Sequence, residues 1–261
     1  MSEKNVYTTL WETNLIEGWY KRFSAVVKPF ELPLLQIVIE KCNKIFKHKK
    51  NISMFEIGAG TGKYTSIVLN GIALDRKVNY MGIDVSEAQR SQFTENSRHF
   101  PKEVAVDGYD LCSWQDYKVT RKYDMIFSQH SWYGIKGDKE NFEKIKEMLS
   151  NDGVCFIMLN SKENISQIAM EDNGEPPFSS EDLEKGLADC ELSFERVRSY
   201  NDDYIKESFC KDGRLTQQGI DHFSYLYRKE LQGNEQNVIK MIENAPNTAF
   251  RFPTDLVIVR K

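Results

Sequence analysis

The sequence predicts an α/β protein built on a doubly wound parallel sheet, and three observations predict it. Apolar, strand-like runs alternate with helical segments from about residue 50 to residue 160. One of these runs ends in a carboxylate and leads into glycines at alternate positions, Glu56-Ile57-Gly58-Ala59-Gly60-Thr61-Gly62. A second run, Val78 to Asp84, also ends in a carboxylate, 22 residues after Gly62. Strands joined through helices in this order form parallel neighbours with right-handed crossovers.

Taken in chain order, a polar and aromatic helical leader is expected over residues 5–25. An amphipathic helix over 31–46 follows, with Leu32, Leu34, Leu35, Ile37, Val38 and Ile39 on it. Strand one is expected at 52–57, with a helix over 64–70. Strand two is expected at 78–84, and Ser86 is a good N-cap for a helix over 87–98. A short third strand is expected at 103–106 and a fourth at 123–128, followed by a helix over 139–149. Asn151-Asp152-Gly153 then turns into an apolar fifth strand at 154–159. The C-terminal third departs from this alternation. Pro176-Pro177-Phe178-Ser179-Ser180 marks a loop and a capped helix start before a helix over 183–189. A strand is expected at 192–198, mostly helical structure over 200–245, and a closing strand at 256–259. Neither internal repeats nor low-complexity tracts are visible.

The glycine turn sits between a strand and a helix, where backbone conformations with φ > 0 let a ligand approach the main chain. A dinucleotide fingerprint needs its third glycine at position 63, where this chain has Lys63. A phosphate loop needs glycine at 57 and Ser or Thr at 64, where Ile57 and Tyr64 stand. The remaining pattern, Glu56-x-Gly58-x-Gly60-x-Gly62, resembles the first motif of class I S-adenosylmethionine-dependent methyltransferases. The bland alternative is a helix-capping turn without a ligand. Asp84 argues against it, because a carboxylate at the end of strand two offers two acceptor oxygens to ribose hydroxyls. On its own, Asp84 also reads as a turn or capping residue.

That resemblance implies a Rossmann-like sheet of seven strands, mostly parallel, with an antiparallel last strand and a helical lid. It implies one methyltransferase domain over 1–261: a helical leader over 1–50, a cofactor-binding core over 51–160, and C-terminal strands with a helical lid insertion over 161–261. The implied cofactor is S-adenosylmethionine, held by Glu56, Gly58, Ala59, Gly60, Gly62, Tyr64, Asp84 and Val85. Residues 107–114 fall where this class meets adenine. Asp110 is expected to accept from the exocyclic amine and Leu111 to lie beside it, with Trp114 packing the ring; a solvated loop is the alternative for Asp110.

Composition narrows the partners. The 261 residues suffice for one well-buried domain, and 40% hydrophobic with 28% charged residues is ordinary for a soluble globular chain. A net charge of −4 disfavours nucleic acid as substrate, and the only basic run, residues 44–50, reads as a solvated helix end. Signal-peptide and membrane-span patterns are absent from the sequence, so neither export nor a membrane partner is expected. Five scattered cysteines without a C-x-x-C, and only four histidines, argue against a zinc site and for the cytoplasm. No metal is expected, and the chain is expected to be a monomer or homodimer.

Substrate contacts are expected at the C-terminal end of strand four, where ligands sit in open α/β sheets. There the chain reads Phe127-Ser128-Gln129-His130-Ser131-Trp132-Tyr133-Gly134. Gln129 or His130 is expected at the cofactor's methionine end or on the substrate. Trp132 and Tyr133 suit a cationic or planar substrate, or else pack the strand–helix corner. Residues 123–136, the stretch Ile205-Lys206-Glu207-Ser208-Phe209, and Trp19-Tyr20-Lys21-Arg22-Phe23 with Glu31 resemble the histamine N-methyltransferase family. The resemblance implies that Glu31 meets the substrate's positive charge, that His130 takes the place of a family amide, and that Phe209 contacts substrate. The family's amide donor near the C-terminus falls at Arg251 or Phe252 here.

The function expected from these residues is methyl transfer to a small molecule, at an amine or imidazole nitrogen, with His130 and Glu31 as the catalytic pair. O-methylation of a small metabolite, with His130 as general base, is an alternative. A non-catalytic binding protein on the same fold is another, opposed by the intact glycines and Asp84.

Overall fold

The computed structural model describes residues 32–135, 137–172, 174, 178–201, 204–227, 231 and 233–261. The expected leader over 5–25 and Glu31 lie outside the described residues. Two compact units are present. Of the described residues, one holds 32–159 together with 180–197 and 256–261, and the other holds 160–179 and 198–255.

The chain runs α1 (Leu32–Ile45), β1 (Asn51–Ile57), α2 (Lys63–Ile72), β2 (Lys77–Asp84), α3 (Glu87–Ser97), β3 (Val104–Leu111) and β4 (Tyr123–Gln129). It continues through α4 (Lys139–Met148), β5 (Leu149–Asn160), α5 (Ile165–Asp172), α6 (Ser180–Asp189) and β6 (Ser193–Ser199). After the short pair β7 (Cys210–Lys211) and β8 (Arg214–Leu215) come α7 (Gln217–Tyr227), α8 (Glu235–Asn244) and β9 (Thr254–Arg260). The seven-stranded sheet has the order β3-β2-β1-β4-β5-β9-β6, with β9 antiparallel to the other six. Strand order reverses between β1 and its neighbour β4, which is the switch point where ligands bind in open parallel sheets.

The central strands form because they are apolar on both faces. In β1, Met54, Phe55, Glu56 and Ile57 are all buried, as a strand covered by helices on both sides requires. On one face, Leu34, Leu35 and Val38 of α1 and Val68, Leu69 and Ile72 of α2 pack with Met54, Tyr80, Met125 and Phe127. On the other, Phe55 meets the rings of Tyr117 at 4.8 Å, Tyr123 at 4.9 Å and Trp114 at 6.4 Å. Asp124 ties the opposite end of the sheet together. Its oxygens accept from the Ser53 N–H (2.9 Å) and Oγ (3.0 Å), Lys49 Nζ (2.6 Å) and Ser150 Oγ (3.1 Å).

The second unit has a separate aromatic core. Phe209, Phe223 and Phe250 are fully buried there, with Tyr204, Phe252 and the helix residues Val238 and Ile242. His222 is buried among three of these rings, and burial lowers its pKa to about 3, so it is a neutral core residue. Among the described residues no helix is long and apolar enough to cross a membrane.

Three elements differ from expectation. β3 runs on to Leu111, because a bulge opposite Tyr80 and Met81 absorbs Asp107 and restores pairing from Gly108 onward. β5 begins at Leu149, with a register shift across Ser150–Gly153. Within the stretch expected to be helical, Asp212 (φ 52°) and Gly213 (φ 68°) make the tight turn of the β7–β8 hairpin. Asp-Gly between short strand-forming runs is a hairpin signal that the helical reading passed over.

Candidate active site

The glycine turn after β1 is left-handed at all three glycines, with φ of 68° at Gly58, 52° at Gly60 and 72° at Gly62. A side chain at such positions costs about 1–2 kcal/mol each. The steric demands differ along the turn. A Cβ on Gly58 would lie 2.2 Å from Ser131 Cβ, and one on Gly62 would lie 2.8 Å from the Phe93 ring. A Cβ on Gly60 would meet nothing nearer than Gln89 Oε1 at 3.9 Å. The turn is thus packed at both ends and open in the middle, where a ligand can lie against the backbone.

Hydrogen bonds hold this shape. The Ala59 N–H donates to the Ile83 carbonyl at 2.9 Å, and the Gly62 N–H to the Ala59 carbonyl at 3.1 Å. Tyr109 Oη donates to the Gly60 carbonyl at 3.1 Å, and Asn96 Nδ2 to the Thr61 carbonyl at 2.8 Å. Helix α2 starts directly at Lys63, with no side-chain cap from Gly62. Its first N–H groups and dipole favour an anionic group there.

Asp84 closes the turn from β2. Its Oδ2 accepts the Gly60 N–H and its Oδ1 the Ser86 N–H, each at 2.9 Å, and the Val85 N–H also donates to this carboxylate. Burial raises its pKa, and the donating N–H groups oppose that shift. Val85 and Leu111 follow on neighbouring strand ends, and both are exposed, at 37% and 40%. Asp110 is exposed on β3 beside Leu111, and both line a surface cavity of about 730 Å³ with Tyr117 and Tyr123. The open centre at Gly60, the Asp84 oxygens and the exposed apolar pair fit a group carrying a ribose and a flat base.

The structure withdraws four expected contacts into packing. Glu56 is 3% exposed, beneath the turn. Both of its oxygens accept from Thr65 Oγ1, at 2.9 and 2.7 Å, and Oε2 also accepts from Tyr80 Oη at 2.6 Å. Its carboxylate therefore braces β1 against α2 and β2. Burial lifts its pKa to about 8 even though both hydroxyls oppose the shift. Trp132 is fully buried against Trp114 (6.1 Å) and Phe142 (6.1 Å) and offers no wall to a substrate. Trp114, at 3% exposed, packs the core rather than a base. Phe209 is fully buried within the second unit's aromatic core.

The end of β4 keeps the remaining candidates together. Ser131 Oγ donates to the Ile57 carbonyl at 2.7 Å and lies 2.6 Å from Ser128 Oγ, so this loop is stitched to the end of β1. Gln129, half-buried, ends β4, and its Nε2 is buried without a hydrogen-bond partner. His130 has a left-handed backbone (φ 51°), and its N–H donates to the Met158 carbonyl at 3.0 Å. His130 Nδ1 lies 2.9 Å from Tyr133 Oη, with the two rings stacked at 13°. Tyr64 is half-buried at the start of α2, with Lys63 Nζ 5.8 Å from its ring. Among the described residues no cluster of three or more His, Cys, Asp or Glu is arranged to hold a metal ion. Sequence reasoning missed Thr65, Tyr80, Tyr109 and Ser131 as the braces of this site. Tyr80 and Tyr109 had a visible signal, as aromatic residues in segments already singled out.

Residues 48–197 match the family described as a methyltransferase domain. No curated protein matches the chain. Among solved structures, the plantazolicin methyltransferase BpumL, in complex with a triazolic desmethylPZN analog and SAH, is similar at 13% identity and a TM-score of 0.60, covering 98% of this chain and 95% of that one. The N-methyltransferase NodS from Bradyrhizobium japonicum is similar at 10% identity and a TM-score of 0.51, covering 88% and 98%. The cyclase SpnF shares the fold as well, at 11% identity and a TM-score of 0.54, covering 86% and 79%. At these identities the likeness concerns the fold alone; the family match covers more than half of the chain. The chain therefore belongs to the methyltransferase domain family, as a Rossmann-like enzyme that uses S-adenosylmethionine.

Proposed function

We propose that this enzyme methylates a nitrogen of a small molecule, an amine or an imidazole, and that His130 takes up the proton the acceptor loses. The observation that carries this reading is the placement of His130. It follows β4 directly, its neighbour Ser131 is bonded to the end of β1, and its imidazole is held by Tyr133. When bound, S-adenosylmethionine supplies a methyl group on a positively charged sulfur, which leaves as a neutral thioether once the methyl is transferred. The Gly60 backbone and Asp84 fix where that group lies, and the Asp84 oxygens take the ribose hydroxyls.

An ammonium has no lone pair to offer, so the acceptor nitrogen first gives a proton to the imidazole. The freed lone pair then forms the new N–C bond, the product keeps the positive charge, and His130 returns its proton to water. Gln129 is proposed at the methionine end of the cofactor, where an amide donor suits a carboxylate. Glu31 is proposed as the counter-charge to a cationic acceptor. The fold neighbours include an N-methyltransferase and a plantazolicin methyltransferase. All five cysteines are free thiols, which suits the proposed cytoplasmic location.

Methyl-labelled S-adenosylmethionine with a panel of amines, imidazoles and phenols, read by mass spectrometry, tests the acceptor. Label on nitrogen is the expected result. Label confined to oxygen would replace it with O-methylation, the reading that the same imidazole also favours, because a hydroxyl needs a base more than an amine does. For a cationic acceptor found in this way, Glu31→Gln is expected to raise KM about tenfold with kcat little changed, and an unchanged KM would remove Glu31 from the site.

A further inference from the structure

We infer that Tyr109 is a positioning residue for the cofactor: its hydroxyl, aimed by the bulge in β3, presets the left-handed conformation of Gly60 before the ligand arrives, and cofactor affinity depends on it. This deepens the proposed function and rests on its placing of the cofactor against Gly60 and Asp84.

The geometry begins in the sheet. Tyr80 of β2 pairs with Val106, but Met81 pairs with Gly108, which leaves Asp107 as the extra residue. Successive side chains of a strand point to opposite faces, so one extra residue decides which face every later residue takes. Here it sets Tyr109 beside Gly82 and Leu111 beside Asp84, on the face of β2 that carries Asp84. Without Asp107 in the bulge, Tyr109 would turn to the other face and its hydroxyl could not reach the glycine turn. With it, the Tyr109 ring packs on Phe93 of α3 at 4.7 Å, and its Oη donates to the Gly60 carbonyl at 3.1 Å.

Gly60 is thereby held on both sides of its Cα. Its N–H donates to Asp84 Oδ2 at 2.9 Å and its carbonyl accepts from Tyr109, so the two rigid peptide planes that flank it are both fixed. Packing secures the ends of the turn, at Gly58 by Ser131 and at Gly62 by Phe93, but it cannot secure the centre. The nearest atom to a Cβ at Gly60 would be Gln89 Oε1, at 3.9 Å, and a ligand needs that space open. Hydrogen bonds from β2 and β3 hold the centre instead. An untethered glycine takes positive and negative φ about equally, and a ligand that meets a loose turn has to order it at a cost in affinity. Burial, with the Asp84 and Glu56 carboxylates nearby, raises the pKa of the Tyr109 phenol, so it remains a donor.

Tyr109→Phe keeps the ring on Phe93 and removes only the donor. The experiment compares it with the wild type, as full chains, by calorimetric titration with S-adenosylhomocysteine and by amide hydrogen exchange of the unliganded proteins read by NMR. The expected result is at least fivefold weaker binding, with exchange at least fivefold faster at the Gly60 and Gly62 amides and within about twofold of wild type in β1 and β4. Binding within about twofold of wild type overturns the inference. So does exchange that rises in β1 and β4 as much as in the turn, which is what a merely structural role would give. Asp84→Ala, titrated in parallel, separates the two levels. Equal affinity of wild type and Asp84→Ala counts against the proposed placing of the cofactor, whereas a weakened Asp84→Ala beside an unchanged Tyr109→Phe overturns this inference alone.

Discussion

At Glu56 the carboxylate of the first motif serves the scaffold. Near-complete burial keeps its proton on up to about pH 8, against an ordinary value near 4.5, even though the Thr65 and Tyr80 hydroxyls that donate to it favour the charged form. A carboxyl whose folded pKa is raised binds its proton more tightly folded than unfolded. Its contribution to stability is complete below about pH 4.5 and is lost as pH rises through 8. Replacing it with Gln, which copies the neutral form, should remove this dependence. Urea unfolding between pH 5 and 8 is expected to show the wild type losing stability relative to Glu56→Gln by up to about 1.4 kcal/mol per pH unit. Parallel curves for the two proteins would contradict a raised pKa. Gly60 makes the complementary case. Gly60→Ala should cost about 1–2 kcal/mol of folding stability through its φ of 52°, and should weaken S-adenosylhomocysteine at least tenfold by filling the open centre of the turn. An unchanged affinity would place the ligand elsewhere.

At the scale of elements, the sheet's last strand carries a buried ion pair. Asp255 on β9 is fully buried and accepts from Arg198 on β6 through Nε and an Nη, both at 2.8 Å. Removing Arg198 leaves the Asp255 carboxylate fully buried, so Arg198→Met is expected to cost about 3–5 kcal/mol, whereas Arg198 itself is partly exposed and keeps Glu163 at 3.5 Å. The double variant Arg198→Met with Asp255→Leu should recover most of that loss in a urea melt; a single variant within about 1 kcal/mol of wild type would show the pair to be marginal. The strand–helix alternation of the core was legible because period and burial agree there, as in β1, where four consecutive residues are buried. What was not legible depends on contacts between strands. The extension of β3 past Asp107 needs the bulge that only pairing with β2 reveals, and Asp107-Gly108 by itself looks like the start of a loop. Trp132 and Phe209 show the same limit among side chains. An aromatic residue suits a binding wall or a core equally well in sequence, and burial decides between them.

For the molecule as a whole, the residues proposed to act gather where the strand order reverses. The glycine turn after β1, Asp84 at the end of β2, and His130 just past β4 come from segments up to about 70 residues apart, and the parallel register brings the strand ends level. The methyl donor was readable from the sequence because the site proposed for it is one local motif plus one carboxylate at a fixed distance. The acceptor was not, since its contacts come from side chains whose direction depends on tertiary packing. A ligand bound only by the folded chain stabilises it, by about 2.7 kcal/mol at a hundred times its dissociation constant. Thermal melts with S-adenosylhomocysteine at that excess should therefore rise by roughly 5–10 °C.

Calorimetric titration of the full chain with S-adenosylhomocysteine, for the wild type and for Asp84→Ala, tests the cofactor site most directly. Saturable one-to-one binding by the wild type, at least tenfold weaker in a folded Asp84→Ala, is the predicted result. No binding by the wild type, or equal affinity in the two proteins, would contradict it.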